Sequence, residues 1–525
     1  MKSEIKKIIE KAVKNLAKEA LDFSVEVPGD ENHGDYSTNI ALVLAKKLEK
    51  NPKEIAEIII EKIGKNKLFK KVEVAGPGFI NFFIAEDYFR KQLTAVLKEK
   101  EKFGSLKTGK GQKVNIEFVS ANPTGPLTLG NGRGGFGGDV LANVLEKSGY
   151  KVTREYYIND TGAQIKKLGH SVIGDAEAVY KGGYILNLKG KIVGHRKSPD
   201  LDPEKIGEAA AKIILNKMIK PSLKKMGIKF DVWFSEKDLY KKGEVDKAIA
   251  ELSKKGFTYE SEGAVWFKSK DIGDDKDRVL IRADGIKTYF ASDIAYLKNK
   301  FKRGFEGLIM FLGADHYGYV PRLKAAAYAF GFEKDNINDI VMQLVRLFEK
   351  GKEVRMAKRT GIYVTIDELI DEVGLDVARF FFLMISPNTH MNFNLDLAKE
   401  KSEKNPVFKV QYAYARICSI LRKFGKIKAQ TPDFKLLKEP SEMELIKQLI
   451  KLPEVIEDIS KDYQLQRLPQ YAMDLADSFH KFYESCKVIS EDKNLTNARL
   501  ALVLSTKVVL KNTLDLMGIL SPEKM

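Results

Sequence analysis

Cysteine is almost missing: of 525 residues only Cys418 and Cys486 are cysteines, and they lack CxxC spacing. That excludes a disulfide framework and a cysteine zinc site, and it points to a reducing compartment, the cytoplasm. Histidine is scarce too. His33, His170, His195, His316, His390 and His480 never fall at HxxxH or HExxH spacing, so no metal ligand is assigned to the chain. Long apolar runs are absent as well. The most apolar stretch, VARFFFLMI at 377–385, is far short of the roughly 20 residues a membrane span needs and contains Arg379. A soluble protein with no membrane partner is expected. The first 23 residues put Ile5, Ile8, Ile9, Ala12, Val13, Leu16 and Ala17 on one helical face, with Glu4, Glu10 and Glu19 interrupting the basic side. This pattern is a folded helix rather than a targeting peptide.

Acidic charge is in deficit, with 89 Lys plus Arg against 72 Asp plus Glu, a formal net charge of +17. Such a field attracts a polyanion, nucleic acid first of all, although a lysine-rich solvated surface gives the same count. A chain of this length predicts about three to five folding units. Residues 1–105 combine helix-like segments with VEVAGPGFINFFIA, whose alternation and Gly/Pro turn predict a hairpin, so an α+β appendage is expected. GSLKTGKGQK at 104–113 reads as a linker. From 106 to 400, VNIEFVS, KVTREYYI and GLIMFLG read as buried strands and DVLANVLEKSG as a helix. Strands alternating with helices predict an α/β, doubly wound parallel sheet of the Rossmann-like kind. Mixed signals at about 170–265 suggest an insertion, and residues 401–525, poor in glycine and amphipathic throughout, predict an all-α helical bundle.

The chemistry concentrates in four segments. SANPTGPLTLGNGRGGFGGD at 120–139 lies where a strand ends and a helix begins, the crevice that binds nucleotides in such sheets. Gly130, Gly132, Gly134 and Gly135 would let the backbone approach phosphate, and Thr128 and Asn131 add side-chain donors; glycines that merely permit tight helix packing would look the same. The spacing fits neither a Walker loop nor GxGxxG. In ADGIKTYFASDIAYLKNKF at 283–301, Tyr289 and Asp293 share a helical face, a phenol beside a carboxylate that suits a guanidinium. An N-cap role is the plainer reading of that Asp. GADHYGYVPRL puts Gly313, Asp315 and His316 at another strand's carboxyl end, and VRMAKRTG supplies Arg355, Met356 and Lys358 in a basic segment at about 352–362.

The first segment resembles the signature of class I aminoacyl-tRNA synthetases, with Thr128, Leu129, Gly130 and Asn131 where the family usually has His-Ile-Gly-His. SANPTGPL upstream and GDVLANVLEKSGY downstream resemble the arginyl members of that class, and the resemblance spans essentially the whole chain. It implies ATP-dependent activation of L-arginine and transfer to tRNA(Arg), with Mg2+ carried on ATP, in a monomer. It further implies catalytic roles for Thr128, Asn131 and Lys358, the last in a loop similar to KMSKS although Arg355 and Ala357 replace its usual Lys and Ser. Gly125, Pro126, Gly130, Gly132, Gly313, Asp315, His316, Arg355 and Met356 would hold ATP. By the same resemblance Asn122, Asp160, Gln164, Tyr289 and Asp293 contact arginine. The C-terminal bundle is similar to the family's anticodon-binding domain, with Tyr412, Tyr414 and Arg416 for stacking and phosphate contact; an aromatic stripe of that kind is also what a helix core needs. Two other readings compete: a non-catalytic tRNA-binding paralogue, given the altered signature, and a small-molecule nucleotidyltransferase, which would not need the outer domains.

Overall fold

The computed structural model describes residues 1–16, 19, 21–194, 201–354, 365–424 and 432–525, with the backbone alone described at 31 and 315–317. Five strands, β1 (Lys113–Glu117), β2 (Lys151–Ile158), β3 (Val232–Ser235), β4 (Gly307–Gly313) and β5 (Ile337–Met342), form one sheet in the order β5-β4-β1-β2-β3. Every neighbouring pair is parallel. The chain winds outward from β1 through α1 (Leu129–Lys147) to β2 and β3, then returns to the other side of β1. The reversal opens a crevice between the carboxyl ends of β1 and β4, the place where open α/β sheets bind ligands.

Alternation along the strands divides the apolar residues between two cores, as period-two geometry requires. Ile309 and Phe311 join Val140, Leu141 and Val144 of α1 on one face. Leu308 and Met310 join Ile294 and Leu297 of the helix α3 (Tyr289–Lys302) on the other. A second helix, α2 (Ala163–Ile173), follows β2. The segment expected as an insertion at about 170–265 differs from that reading in one respect: it contains β3, which pairs with β2 from Glu155↔Val232 to Ile158↔Ser235. Four residues are too few to give a strand pattern, so its mixed signals concealed it.

The N-terminal unit is a four-stranded antiparallel sheet in which Phe69–Ala75 and Phe79–Ile84 make the expected hairpin. It rests on the C-terminal helices, where Glu454 accepts the Tyr36 hydroxyl at 2.9 Å and Lys2 reaches Asp458 at 2.8 Å. That C-terminal part consists of the helices Pro406–Phe424, Pro440–Leu449, Leu452–Asp462, Arg467–Ser485 and Lys493–Met517, the expected bundle. Among the described residues no helix is long and apolar enough to cross a membrane.

One buried side chain joins sheet and bundle. Arg379 pairs with Asp139 of α1, donates to the carbonyls of Met226 (2.7 Å) and Met517 (2.9 Å), and lies over the Phe136 ring. Removing one partner of a buried pair strands the other charge, at a cost of about 3–5 kcal/mol. Arg379→Met is therefore expected to lower unfolding free energy by about that amount in a urea titration.

Candidate active site

The crevice begins with strain. Beyond β1 the backbone turns through Val119 (φ 66°) and Ser120 (φ 37°), two left-handed conformations that side chains avoid. The turn is closed by Ser120 N–H donating to Phe118 C=O at 2.9 Å. Each such residue costs on the order of 1–3 kcal/mol and persists only if its surroundings over-determine it. They do here: Ser120 Oγ accepts from Tyr157 N–H (3.1 Å) and donates to Glu117 (3.2 Å), and the Tyr156 hydroxyl donates to Ala121 C=O (2.8 Å). The strand expected through Ser120 thus ends at Glu117.

The strained turn delivers Thr128 to the N-cap of α1. Thr128 Oγ1 and N–H both donate to Asn131 Oδ1, at 2.9 and 3.0 Å, and Asn131 N–H reaches back to Thr128 Oγ1. The reciprocal cap uses the Asn131 oxygen and so leaves its Nδ2 donors, with the N–H groups of the first helical turn, as the free hydrogen-bonding capacity of this corner. That is anion-binding chemistry. Gly130 is exposed, and a Cβ added there would meet only Thr128 Oγ1, at 3.7 Å. Gly132 behaves otherwise: a Cβ there would stand 2.5 Å from Ile366, so it is a packing glycine rather than a phosphate-facing one. Gly125 lies beneath the Tyr184 hydroxyl, Pro126 follows it in the same loop, and Gly313 ends β4. Asp315 and His316 occupy the turn Ala314–Tyr319, with side chains outside those described.

Arg355, Met356 and Lys358 lie outside the described residues. The chain on either side is anchored at the site. Val354 pairs with Leu347, and Thr365 forms a bridge with Thr128 while Ile366 N–H donates to Leu127 C=O at 3.1 Å.

On the other side of β1 lies a cleft of about 540 Å³, lined in part by Gly162, Glu236, Tyr240 and Tyr289. Tyr289 opens α3, more than half exposed, and its hydroxyl accepts from Ala163 N–H at 3.2 Å. Asp293 lies one turn further along α3. Burial first, then the charges of Glu236 and Glu117, push its carboxyl well above the usual range, and Arg322 relieves it only partly. Glu236 is 3% exposed; burial pushes it up to about 7, with Asp160 adding to the rise and a hydrogen bond from Ser292 opposing it. Neither acid has a salt-bridge partner among the described residues. The Tyr157 hydroxyl, buried nearby, has no hydrogen-bond partner among them either. Two acids in low dielectric without a counter-ion call for a cation, and a planar guanidinium with five donors is the group that satisfies both carboxylates and phenols.

Several expected arginine contacts are placed differently. Each oxygen of Asp160 accepts one hydrogen bond, from Ser235 Oγ (2.6 Å) and Lys237 N–H (3.0 Å), so Asp160 caps the helix Glu236–Lys241 and holds Glu236 in place. Gln164 accepts from the Tyr180 hydroxyl and, like Asn122, is exposed; neither is in the lining of this cleft, and Asp293 too lies behind that lining rather than in it. Glu236 itself was missed. Its one signal was a polar Ser-Glu pair directly after the short strand β3.

The bundle carries a second cleft of about 830 Å³, lined by Tyr412, Arg416, Lys423, Tyr483 and Lys487 among others. The Arg416 guanidinium lies 5.2 Å from the Tyr412 ring and 4.8 Å from that of Tyr483, a cation between two π-faces. Tyr414 is not part of it. Two residues from Tyr412 is about 200° around a helix, and Tyr414 is buried against the Lys493–Met517 helix beside Lys507.

Comparison with known proteins agrees with this geometry. Residues 92–173 and 196–390 match the family model described as tRNA synthetases class I (R), catalytic domain; residues 3–84 match the arginyl tRNA synthetase N terminal domain, and 410–525 the DALR anticodon binding domain. The sheet and its crevice are thus those of a class I aminoacyl-tRNA synthetase. The arginine–tRNA ligase of Caldanaerobacter subterraneus subsp. tengcongensis is 46% identical over 554 residues, covering 100% of this chain and 99% of its own. That of Acetivibrio thermocellus is 44% identical over 565 residues, covering 99% of each. The chain belongs to the arginyl-tRNA synthetase family. The solved structure of Thermus thermophilus arginyl-tRNA synthetase, at 22% identity, superposes with a TM-score of 0.82 over 100% of both chains, a likeness of fold.

An acid whose pKa is raised in the native state binds protons that the unfolded chain releases, so its contribution to stability falls as pH rises from its ordinary value through about 7. Glu236→Gln removes that penalty. At pH 8 and without ligand the variant is expected to be about 1–3 kcal/mol more stable than the parent in urea, and equally stable at pH 4.

Proposed function

We propose that this arginine–tRNA ligase seats the arginine guanidinium against Glu236, Asp293 and Tyr289, and the ATP phosphates at the N-terminus of α1. The observation that carries the reading is a pair of buried acids with no salt-bridge partner among the described residues, Asp293 one helix turn behind the exposed Tyr289 and Glu236 at the start of the helix Glu236–Lys241, across β1 from a helix N-terminus with donors to spare. The arginine carboxylate then attacks the α-phosphorus of ATP, the bond to the bridging oxygen breaks, and arginyl-adenylate and pyrophosphate form. In the second step the terminal ribose hydroxyl of tRNA attacks the arginyl carbonyl and AMP leaves.

Asn131 Nδ2 and the first N–H groups of α1 stabilise charge on the phosphate as it develops; one oriented donor of this kind is worth roughly 3–4 kcal/mol. Thr128 orients Asn131 through the reciprocal cap. Lys358 follows charge onto the departing pyrophosphate, a role supported by the anchoring of Thr365 at Thr128. Mg2+ would come with ATP, held by the phosphate oxygens. Gly313, Asp315 and His316, at the end of β4, serve the adenosine side.

Two terminal parts grip the tRNA. Tyr412, Arg416 and Tyr483 offer stacking and charge for anticodon bases, and the net charge of +17 favours the polyanion overall. A single chain holds all three parts, and both cysteines are free and buried, which fits a monomer at work in a reducing cytoplasm.

Arginine-dependent exchange of labelled pyrophosphate into ATP, with tRNA present, tests the activity and its site. Asp293→Asn is expected to lower kcat/KM for arginine by about 10³ or more while KM for ATP stays within a few-fold, because an unpaired guanidinium is costly to bury; a defect confined to ATP would refute the assignment. The acids also set a pH dependence. Below about 7 Glu236 is protonated, and guanidinium binding must expel that proton. KM for arginine is therefore expected to fall as pH rises from 6 to 8, and to lose most of that slope in Glu236→Gln.

A further inference from the structure

Tyr180, between α2 and the helix Gly183–Ile192, and Tyr184, in the first turn of that helix, send their hydroxyls to opposite halves of the site. Tyr180 donates to Gln164 Oε1 at 2.7 Å, in the first turn of α2, whose Ala163 N–H meets Tyr289. Tyr184 donates to Thr124 C=O at 2.9 Å, in the loop between the strained turn and Thr128. The same hydroxyl would stand 3.2 Å from a Cβ on Gly125, so the ring lies close over that loop.

The connecting segment is itself tied down. Ser171 Oγ accepts from the N–H groups of Val179 (3.0 Å) and Tyr180 (2.9 Å) while donating to Lys167 C=O, and His170 pairs with Asp175 at 2.8 Å. Ile185 and Leu188 anchor the following helix in the core. Both tyrosines are only half-buried, so water could satisfy their hydroxyls almost as well. What these bonds add is geometry: a short, anchored element with one end on the amino-acid half and the other on the nucleotide half.

We propose that Tyr180 and Tyr184 are positioning residues that brace the two halves against each other, so that filling one pocket preorders the other. The inference rests on the functional reading above. Coupling of this kind is reciprocal, since whatever arginine does to the affinity for ATP, ATP does to the affinity for arginine.

The test is tRNA-supported pyrophosphate exchange by Tyr180→Phe, Tyr184→Phe and the double variant, with each KM measured at low and at saturating co-substrate, alongside melting temperatures. In the parent enzyme, saturating arginine is expected to lower KM for ATP. Tyr184→Phe should raise KM for ATP about fivefold and Tyr180→Phe KM for arginine about fivefold, with kcat within about twofold, the loss of one hydrogen bond in each case. In every variant the dependence of one KM on the other substrate should vanish. The proposal is overturned if the parent shows no such dependence, if the variants retain it, or if kcat and melting temperature fall together with coupling intact. Complete absence of arginine-dependent exchange in the parent would instead remove the functional reading, and this inference with it.

Discussion

The catalytic half of the molecule depends on how closely α1 can lie against its neighbours. Its sequence, LGNGRGGFGGD, places six glycines in a helix interior, which costs on the order of 5 kcal/mol relative to alanine. Packing accounts for the expense. Gly132 admits Ile366, Gly134 admits Met342, Gly135 admits Met226, and Gly138 sits on Phe118 of the strained turn. The helix N-terminus, the end of β5, the start of the helix Ile366–Val373 and the end of β1 can converge on one corner because glycines on several sides of α1 leave no side chain to keep them apart.

Arg133, the large polar residue within that glycine run, secures the same corner from behind. Buried, it donates to the carbonyls of Gln343 (2.7 Å), Ser386 (2.8 Å) and Thr389 (2.8 Å), and burial pushes its pKa down to about 10. The loops it holds flank the segment that carries Lys358. Arg379, paired with Asp139 six residues further along α1, fixes another side of that helix to the bundle. The two corners of the site then have opposite electrical character: spare N–H donors at α1, and, at Glu236 and Asp293, buried acids with no salt-bridge partner among the described residues. Neither is a stable arrangement for its own sake. In the function proposed above each is complementary to one substrate, an anion in the first case and a guanidinium in the second.

Much of this was legible in the residues. The strands at 151–158 and 307–313, the hairpin at 69–84 and the C-terminal helices follow from periodicity and turn chemistry, and the Tyr289/Asp293 pair follows from helical spacing. The failures have local physical causes. Tyr412 and Tyr414 alternate as strand residues would, whereas a helix sends them to different faces. Asp160 looked like a ligand because a carboxylate beside the site carries no mark of being a cap for another segment. Glu236 escaped notice because its strand has only four residues, and the left-handed Val119 because no residue type announces a strained turn that its neighbours enforce.

The sequence by itself determined the class of fold, the order of the three parts and the family, because these rest on short-range spacing that every chain of this pattern shares. Tertiary structure alone decided which glycines pack and which stay open, which acids are buried and which residue caps the helix that carries one of them, and how Arg379 joins sheet to bundle. Those assignments depend on contacts between residues far apart in the chain. Burial and the lack of a counter-charge arise only once distant segments have closed around the same few ångströms.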